Sequence, residues 1–208
     1  MSDRDDVDEE EEEIKVILVG EMGTGKTSLI NTAIGLQFQE KLASTTTNSI
    51  MNKMVKINGK TYSINLWDTI GQEKYRSLTK IFMKGAKIVI FVYDITNLES
   101  FKELNYWFES AKDIINEQTV MGIVGNKSDL FLKEEVKESD ARQLAKEKGY
   151  EFALTSAKNA TMFCEFLEKL IKKYLGEEID DDDVNDNDKK KSEKLKVGKN
   201  SKKKKNCC

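Results

Sequence analysis

The string Gly20-Glu21-Met22-Gly23-Thr24-Gly25-Lys26-Thr27 fits the pattern G-x-x-x-x-G-K-[ST]. Residue types at that spacing suit phosphate. Glycines admit backbone angles that turn successive N–H groups inward onto oxygens. A helix beginning there adds its positive end. Lys26 is placed for the β- and γ-phosphates, and the Thr27 hydroxyl for one site on octahedral Mg2+. Glu21, Met22, Gly23, Thr24, Gly25, Lys26, Thr27 and Ser28 are therefore the expected phosphate cradle. The bland alternative is a glycine-rich turn between a strand and a helix.

Three further strings complete a nucleotide site if the chain gathers them. In Trp67-Asp68-Thr69-Ile70-Gly71-Gln72-Glu73, Asp68 can hold Mg2+ through water, and the Gly71 N–H can take a γ-phosphate oxygen. The Gln72 amide can orient an attacking water. Alone, Asp-x-x-Gly reads as a strand-end turn. In Asn126-Lys127-Ser128-Asp129, the Asp129 carboxylate can accept from guanine N1–H and the exocyclic amine together. Adenine lacks that donor pair and would leave a buried carboxylate unpaired. Ser156-Ala157-Lys158 can offer a backbone N–H to guanine O6 while the Lys158 stem packs on the base. Each string follows an apolar run, and ligands of open α/β sheets sit at the carboxyl ends of strands. The 208 residues include no His, so the chemistry must run on carboxylates, Lys, hydroxyls, amides, backbone N–H groups and a metal.

The elements that must position these groups are legible in the same sequence. Apolar runs predict strands over residues 14–20, 49–57, 61–67, 88–93, 120–126 and 152–155. Amphipathic periodicity predicts helices over 26–34, 99–115, 139–148 and 162–175, with a short one near 75–83. Val16-Ile17-Leu18-Val19 and Ile88-Val89-Ile90-Phe91-Val92 lack polar alternation, as strands buried on both faces do. Alternating strands and helices imply a six-stranded, mainly parallel α/β sheet with helices on both faces. Asn58-Gly59 predicts a tight hairpin and one antiparallel edge strand.

Composition bounds the rest. A chain 38% hydrophobic and 34% charged fits one soluble domain with tails. No run approaches a membrane span, and Met1-Ser2-Asp3 does not read as a signal peptide. Three cysteines, two of them terminal, build no disulfide framework. The net charge of −3 is unevenly spread: residues 1–13 hold nine acids against Arg4, and residues 177–208 hold ten Lys against nine acids. The stretch between is close to balanced, which argues against nucleic acid as a partner. The expected organisation is an acidic disordered extension over 1–13, a folded domain over 14–176 and a disordered charged tail over 177–208.

Over roughly residues 14–175 the sequence resembles the Rab family of small GTPases. The resemblance rests on Trp67-Asp68-Thr69, Gly71-Gln72-Glu73-Lys74-Tyr75-Arg76-Ser77-Leu78, Val92-Tyr93-Asp94-Ile95-Thr96, Thr155-Ser156-Ala157-Lys158 and the terminal Cys207-Cys208. It implies the P-loop GTPase fold and a switch that binds GTP and GDP, hydrolyses GTP slowly with Mg2+ and regulates vesicle-mediated membrane traffic. It implies Gln72 and Lys26 as catalytic residues and Phe38 as the aromatic that packs on guanine. Asn126, Lys127 and Asp129 match its base-binding motif. Thr45 matches the switch I threonine, which joins Thr27 and Asp68 on Mg2+ only in the GTP state. Ile50, Trp67 and Phe82 match an apolar surface read by effectors, with ordinary core as the alternative. Cys207 and Cys208 match a double prenylation site that, with the lysines of 202–205, holds such proteins on the cytosolic face of an intracellular membrane. The implied partners are an exchange factor, a GTPase-activating protein, effectors, and escort and GDP-dissociation-inhibitor proteins.

Three departures stand out. Ile70 occupies a position that is Ala in most relatives, beside the γ-phosphate, so its β-branched side chain is expected to crowd the water or Gln72 and slow hydrolysis. Met22 occupies a loop position that is usually small and is expected to block an arginine finger. Ser44-Thr45-Thr46-Thr47-Asn48-Ser49 lacks the usual Ile-Gly after its threonine, so effector identity does not carry across. Two other readings stay open: a module that holds GTP and barely hydrolyses it, and a different P-loop enzyme such as a nucleoside kinase or ATPase.

Overall fold

Asn58 and Gly59 both take left-handed φ, +47° and +86°. The chain therefore reverses in two residues, and β2 (Ser49–Ile57) pairs antiparallel with β3 (Lys60–Asp68). This is the hairpin expected from Asn-Gly. The computed structural model describes residues 13–40, 42, 45, 47–71 and 76–177, with the backbone alone at 76–78.

The strands β1 (Glu13–Val19), β4 (Ile88–Asp94), β5 (Val120–Asn126) and β6 (Glu151–Leu154) continue the sheet in the order β2-β3-β1-β4-β5-β6, parallel from β3 onward. Parallel neighbours need crossovers. These are built from α1 (Lys26–Ala33), α2 (Arg76–Met83), α3 (Leu98–Lys102), α4 (Leu104–Lys112), α5 (Glu138–Lys148) and α6 (Ala160–Leu175). The six-stranded mixed sheet with helices on both faces is the one the sequence predicted.

Strand β4 is buried along its whole length, and its alternation feeds two cores. Ile88, Ile90 and Val92 pack with Leu29 and Ile30 of α1 and Phe163 and Leu167 of α6. Val89, Phe91 and Tyr93 pack with Trp107 and Phe108 of α4 and Ala141 and Ala145 of α5. Phe91 meets Phe108 edge to face at 4.7 Å. Among the described residues, no helix is long and apolar enough to cross a membrane.

Two elements differ from expectation. The helix predicted over 99–115 is two helices, interrupted at Glu103 (φ −66°, ψ −12°), and α4 ends at Lys112. Beyond it the Ile114 and Ile115 N–H groups both turn onto the Ala111 carbonyl, which closes the helix early. A 3-10 helix, Ser128–Lys133, occupies a stretch expected to be loop.

Parallel pairing brings the carboxyl ends of β1, β3, β4, β5 and β6 to one edge. There the chain leaves β1 hard against β4. A Cβ on Gly20 would lie 2.1 Å from the Val92 carbonyl oxygen, at φ +148°. Backbone cannot step aside as a flexible side chain can, so Gly20→Ala is expected to destabilise the fold by about 2 kcal/mol or more. A thermal melt should show this as a Tm lowered by roughly 5 °C; an unchanged Tm would mean that β1 and β4 can spread here.

Candidate nucleotide-binding site

The loop between β1 and α1 is closed by its own side chains. Lys26 folds back, and its Nζ donates to the carbonyls of Gly20 (2.8 Å) and Glu21 (2.9 Å). The Thr24 hydroxyl donates to the Glu21 carbonyl at 2.9 Å. Lys26 is only 5% exposed. Burial lowers its pKa to about 8, against the pull of Asp68 and Glu21 toward the charged form. An ammonium has three donors and two are used on carbonyls, so this buried cation suits an anion.

Asp68, at the end of β3, lies behind Thr27. The Thr27 hydroxyl donates to Asp68 Oδ2 at 2.7 Å and lies 2.7 Å from the Thr45 hydroxyl. Asp68 is 1% exposed, and its Oδ1 finds no hydrogen-bond partner among the described residues. Burial raises its pKa, against the Thr27 hydrogen bond and the Lys26 charge. An orphaned carboxylate oxygen beside two hydroxyls is a hard oxygen donor set that fits Mg2+. Thr27, Thr45 and Asp68 are the residues that would hold the ion.

The far end of the site is organised around Asp129. Its Oδ1 accepts from the Ser156 hydroxyl at 2.6 Å, and its Oδ2 pairs with Lys158 Nζ at 2.9 Å. Burial pushes this carboxyl up, but Ser156 and Lys158 outweigh it and hold it below the usual range. The Lys158 ammonium lies 5.8 Å from the Phe38 ring centroid. Lys127 adopts left-handed φ (+64°) and pairs with Asp94 at 2.6 Å. Asn126 joins the two ends: its Nδ2 donates to the Thr24 carbonyl at 2.8 Å, and a Cβ on Gly25 would strike that nitrogen at 2.3 Å.

These groups surround one cavity of about 430 Å³, within the size range of small-ligand sites. Met22, Gly23, Gly25, Lys26, Thr27, Ser28, Phe38, Thr45, Gly71, Asn126, Lys127, Asp129, Ser156, Ala157 and Lys158 all line it. Glu21, Thr24 and Asp68 stand behind the wall. Gln72, Cys207 and Cys208 lie outside the described residues. Ile50 is 54% exposed and faces Trp67 across the β2–β3 ladder; Trp67 meets Phe82 at 5.7 Å. Ile50 is the exposed member, Trp67 and Phe82 are half-buried against the core beneath them, and none of the three lines the cavity. Ile70 is 5% exposed and lies between Thr69 and Gly71, both of which line the cavity. Two supporting residues escaped the sequence reading. Asp94 ends an apolar strand and could have been suspected from that position. Trp107 donates its indole N–H to Glu21 at 3.3 Å from α4, and no local pattern signals this.

Residues 15–176 match the Ras family. The chain is 40% identical over 147 residues to the Ras-related protein Rab5 of Nicotiana tabacum, covering 71% of this chain and 74% of that one. It is 35% identical over 161 residues to the Ras-related protein Rab5A of Oryza sativa subsp. japonica, covering 77% and 79%. It is 38% identical over 147 residues to the Ras-related protein RABF2b of Arabidopsis thaliana, covering 71% and 74%. The chain is a Rab-type small GTPase of the Ras family. As such it is an enzyme on GTP, of the kind that acts in membrane traffic, and its family binds guanine nucleotide with Mg2+.

Two measurements test this GTPase's site. Asp129→Asn is expected to weaken GDP at least ~100-fold by loss of a charge-assisted double hydrogen bond; an affinity within a few-fold of wild type would move base recognition elsewhere. The second concerns Lys26, whose pKa of about 8 lies below its ordinary value. Between those two values the free protein binds fewer protons than the unfolded chain, so free-protein stability rises with pH there. Phosphate binding favours the charged lysine, so GDP affinity should fall about tenfold per pH unit above pH 8, with proton uptake in calorimetry. Affinity flat from pH 7 to about 9 would mean that Lys26 stays charged without phosphate.

Proposed function

We propose that this GTPase cycles between GTP- and GDP-bound states, hydrolysing GTP slowly with Mg2+. The observation that carries the reading is Thr45. It precedes β2 in a different part of the chain, yet its hydroxyl reaches the Thr27–Asp68 pair beside the phosphate loop. A segment so placed is ordered by a γ-phosphate and released when that phosphate leaves.

In this reading Lys26 and the loop N–H groups hold the β- and γ-phosphates, and the Gly71 N–H meets the γ-phosphate. Asp129, Ser156, Ala157, Lys158 and Phe38 enclose guanine, with Asn126 and Lys127 behind them. Gln72 orients a water that attacks the γ-phosphorus; the bond to the β–γ bridging oxygen breaks, leaving GDP and phosphate. Mg2+, when bound, neutralises phosphate charge. Arg142 pairs with Glu138 on α5 at 2.6 Å, and Arg4 and the Arg76 side chain lie outside what is described. Among the described residues no arginine lines the cavity, and turnover on the order of 10⁻⁴ s⁻¹ is expected, the scale of small GTPases awaiting an activator.

The remaining parts of the proposal concern attachment and readout. Residues 14–176 form the GTPase domain, preceded by an acidic extension and followed by a charged tail over 177–208. Cys207 and Cys208 carry prenyl groups, and the protein sits peripherally on the cytosolic face of an intracellular membrane, served by exchange, activating, escort and GDP-dissociation-inhibitor proteins. Ile50, Trp67 and Phe82 present the effector surface, a reading supported by the contiguity of the three.

Met22, 56% exposed at the cavity rim, favours the second reading, a module that holds GTP. A turnover assay separates the two. Protein loaded with GTP and Mg2+ and followed by chromatography is expected to convert to GDP over hours. Gln72→Leu should slow this at least ~10-fold without weakening GDP binding. Persistent GTP in the wild type would favour the holding module, and an unchanged rate in the variant would remove Gln72 from the chemistry.

A further inference from the structure

The β2–β3 ladder ends at the Ser49–Asp68 pair. Two residues beyond that pair stands Ile70, 5% exposed, whose peptide N–H needs an acceptor. Its acceptor is a side chain: Asn48 Oδ1, 3.0 Å away and 22 residues earlier in sequence. Only the amide oxygen can take this bond, so the Asn48 rotamer is set by chemistry as well as by shape.

Both ends of that bond stand next to groups aimed at the same place. Asn48 lies three residues after Thr45, whose hydroxyl meets Thr27. Ile70 directly precedes Gly71, which presses on the phosphate loop; a Cβ there would lie 2.6 Å from Lys26 Nζ and 2.7 Å from the Met22 nitrogen. Ile70 is held from the other side as well, its carbonyl accepting from the buried Thr79 hydroxyl of α2 at 3.5 Å.

We propose that Asn48 is a positioning residue for the γ-phosphate end of the site: its bond to the Ile70 N–H joins the segment bearing Thr45 to the segment bearing Gly71, so that a ligand recruiting one recruits the other. The inference rests on the nucleotide-switch reading above. A triphosphate draws on both segments and a diphosphate on neither, so the latch favours the triphosphate selectively.

The test measures affinities for GDP and for the non-hydrolysable guanosine β,γ-imidotriphosphate, each with Mg2+. Asn48→Ala is expected to weaken the triphosphate analogue about tenfold and GDP less than about threefold. Asn48→Asp, whose carboxylate accepts from the same N–H, should keep both within about threefold of wild type. In the wild type, the Ile70 amide should exchange its hydrogen at least about tenfold more slowly with the triphosphate analogue than with GDP. This last reading needs no variant to fold. Equal losses for both nucleotides, no rescue by Asp, or equal Ile70 protection in the two states would overturn the latch while leaving the nucleotide site standing. A wild-type protein that binds neither nucleotide would overturn the switch reading, and the latch with it.

Discussion

A lysine ammonium held out of water is the constraint around which the site is built. Lys26 cannot sit at the start of α1, buried, without acceptors, and the carbonyls of Gly20 and Glu21 supply two. Those carbonyls face inward because the loop leaves β1 through a glycine pressed on β4. The loop in turn keeps its shape through contacts from outside: Asn126 on the Thr24 carbonyl and Trp107 on Glu21. Gly71 lies against Lys26 where any side chain would strike it. The charge, the turn and the close approaches are one arrangement, and each fails without the others.

The parallel sheet is what lets that arrangement serve two ends of one ligand. Successive strands deliver a polar residue to the same edge: Asp68 from β3, Asp94 from β4, Asn126 from β5. Each does something different there. Asp68 keeps an oxygen with no hydrogen-bond partner among the described residues, behind Thr27. Asp94 takes the Lys127 charge, with Thr96 on its other oxygen. Asn126 spends its amide on the phosphate loop. Asp129 is thereby left as a carboxylate fixed by Ser156 and Lys158 at the base end. A site assembled from strand ends inherits the rigidity of the two cores beneath it.

Much of this was legible in the sequence because the relevant signals are local. The Asn58-Gly59 turn, the unbroken apolar run of β4 and the phosphate-loop string each specify their own conformation within a few residues. The residues that hold the site from a distance gave no such signal. Trp107 reads as a core aromatic on α4, and only the fold brings it to Glu21, 86 residues away. The break at Glu103 reflects a small change in ψ that apolar periodicity does not register.

The two ends of the cavity are anchored unequally, and this bears on what a switch needs. The phosphate loop and the loop that follows β6 are tied to the sheet by buried bonds: Lys26 to Gly20, Asn126 to Thr24, and the Thr155 hydroxyl to Asn126. The Thr45 and Asn48 bonds are only partly buried and hold two residues that stand outside any strand or helix. Local opening free energy follows the density of buried contacts, so the part of the site facing the γ-phosphate is the part most easily released. A uniformly rigid cavity would bind di- and triphosphate alike. On the proposed switch reading, a cavity held firmly at the phosphate loop and fastened by a few partly buried hydrogen bonds at Thr45 and Asn48 lets the third phosphate set the order of the residues it touches there.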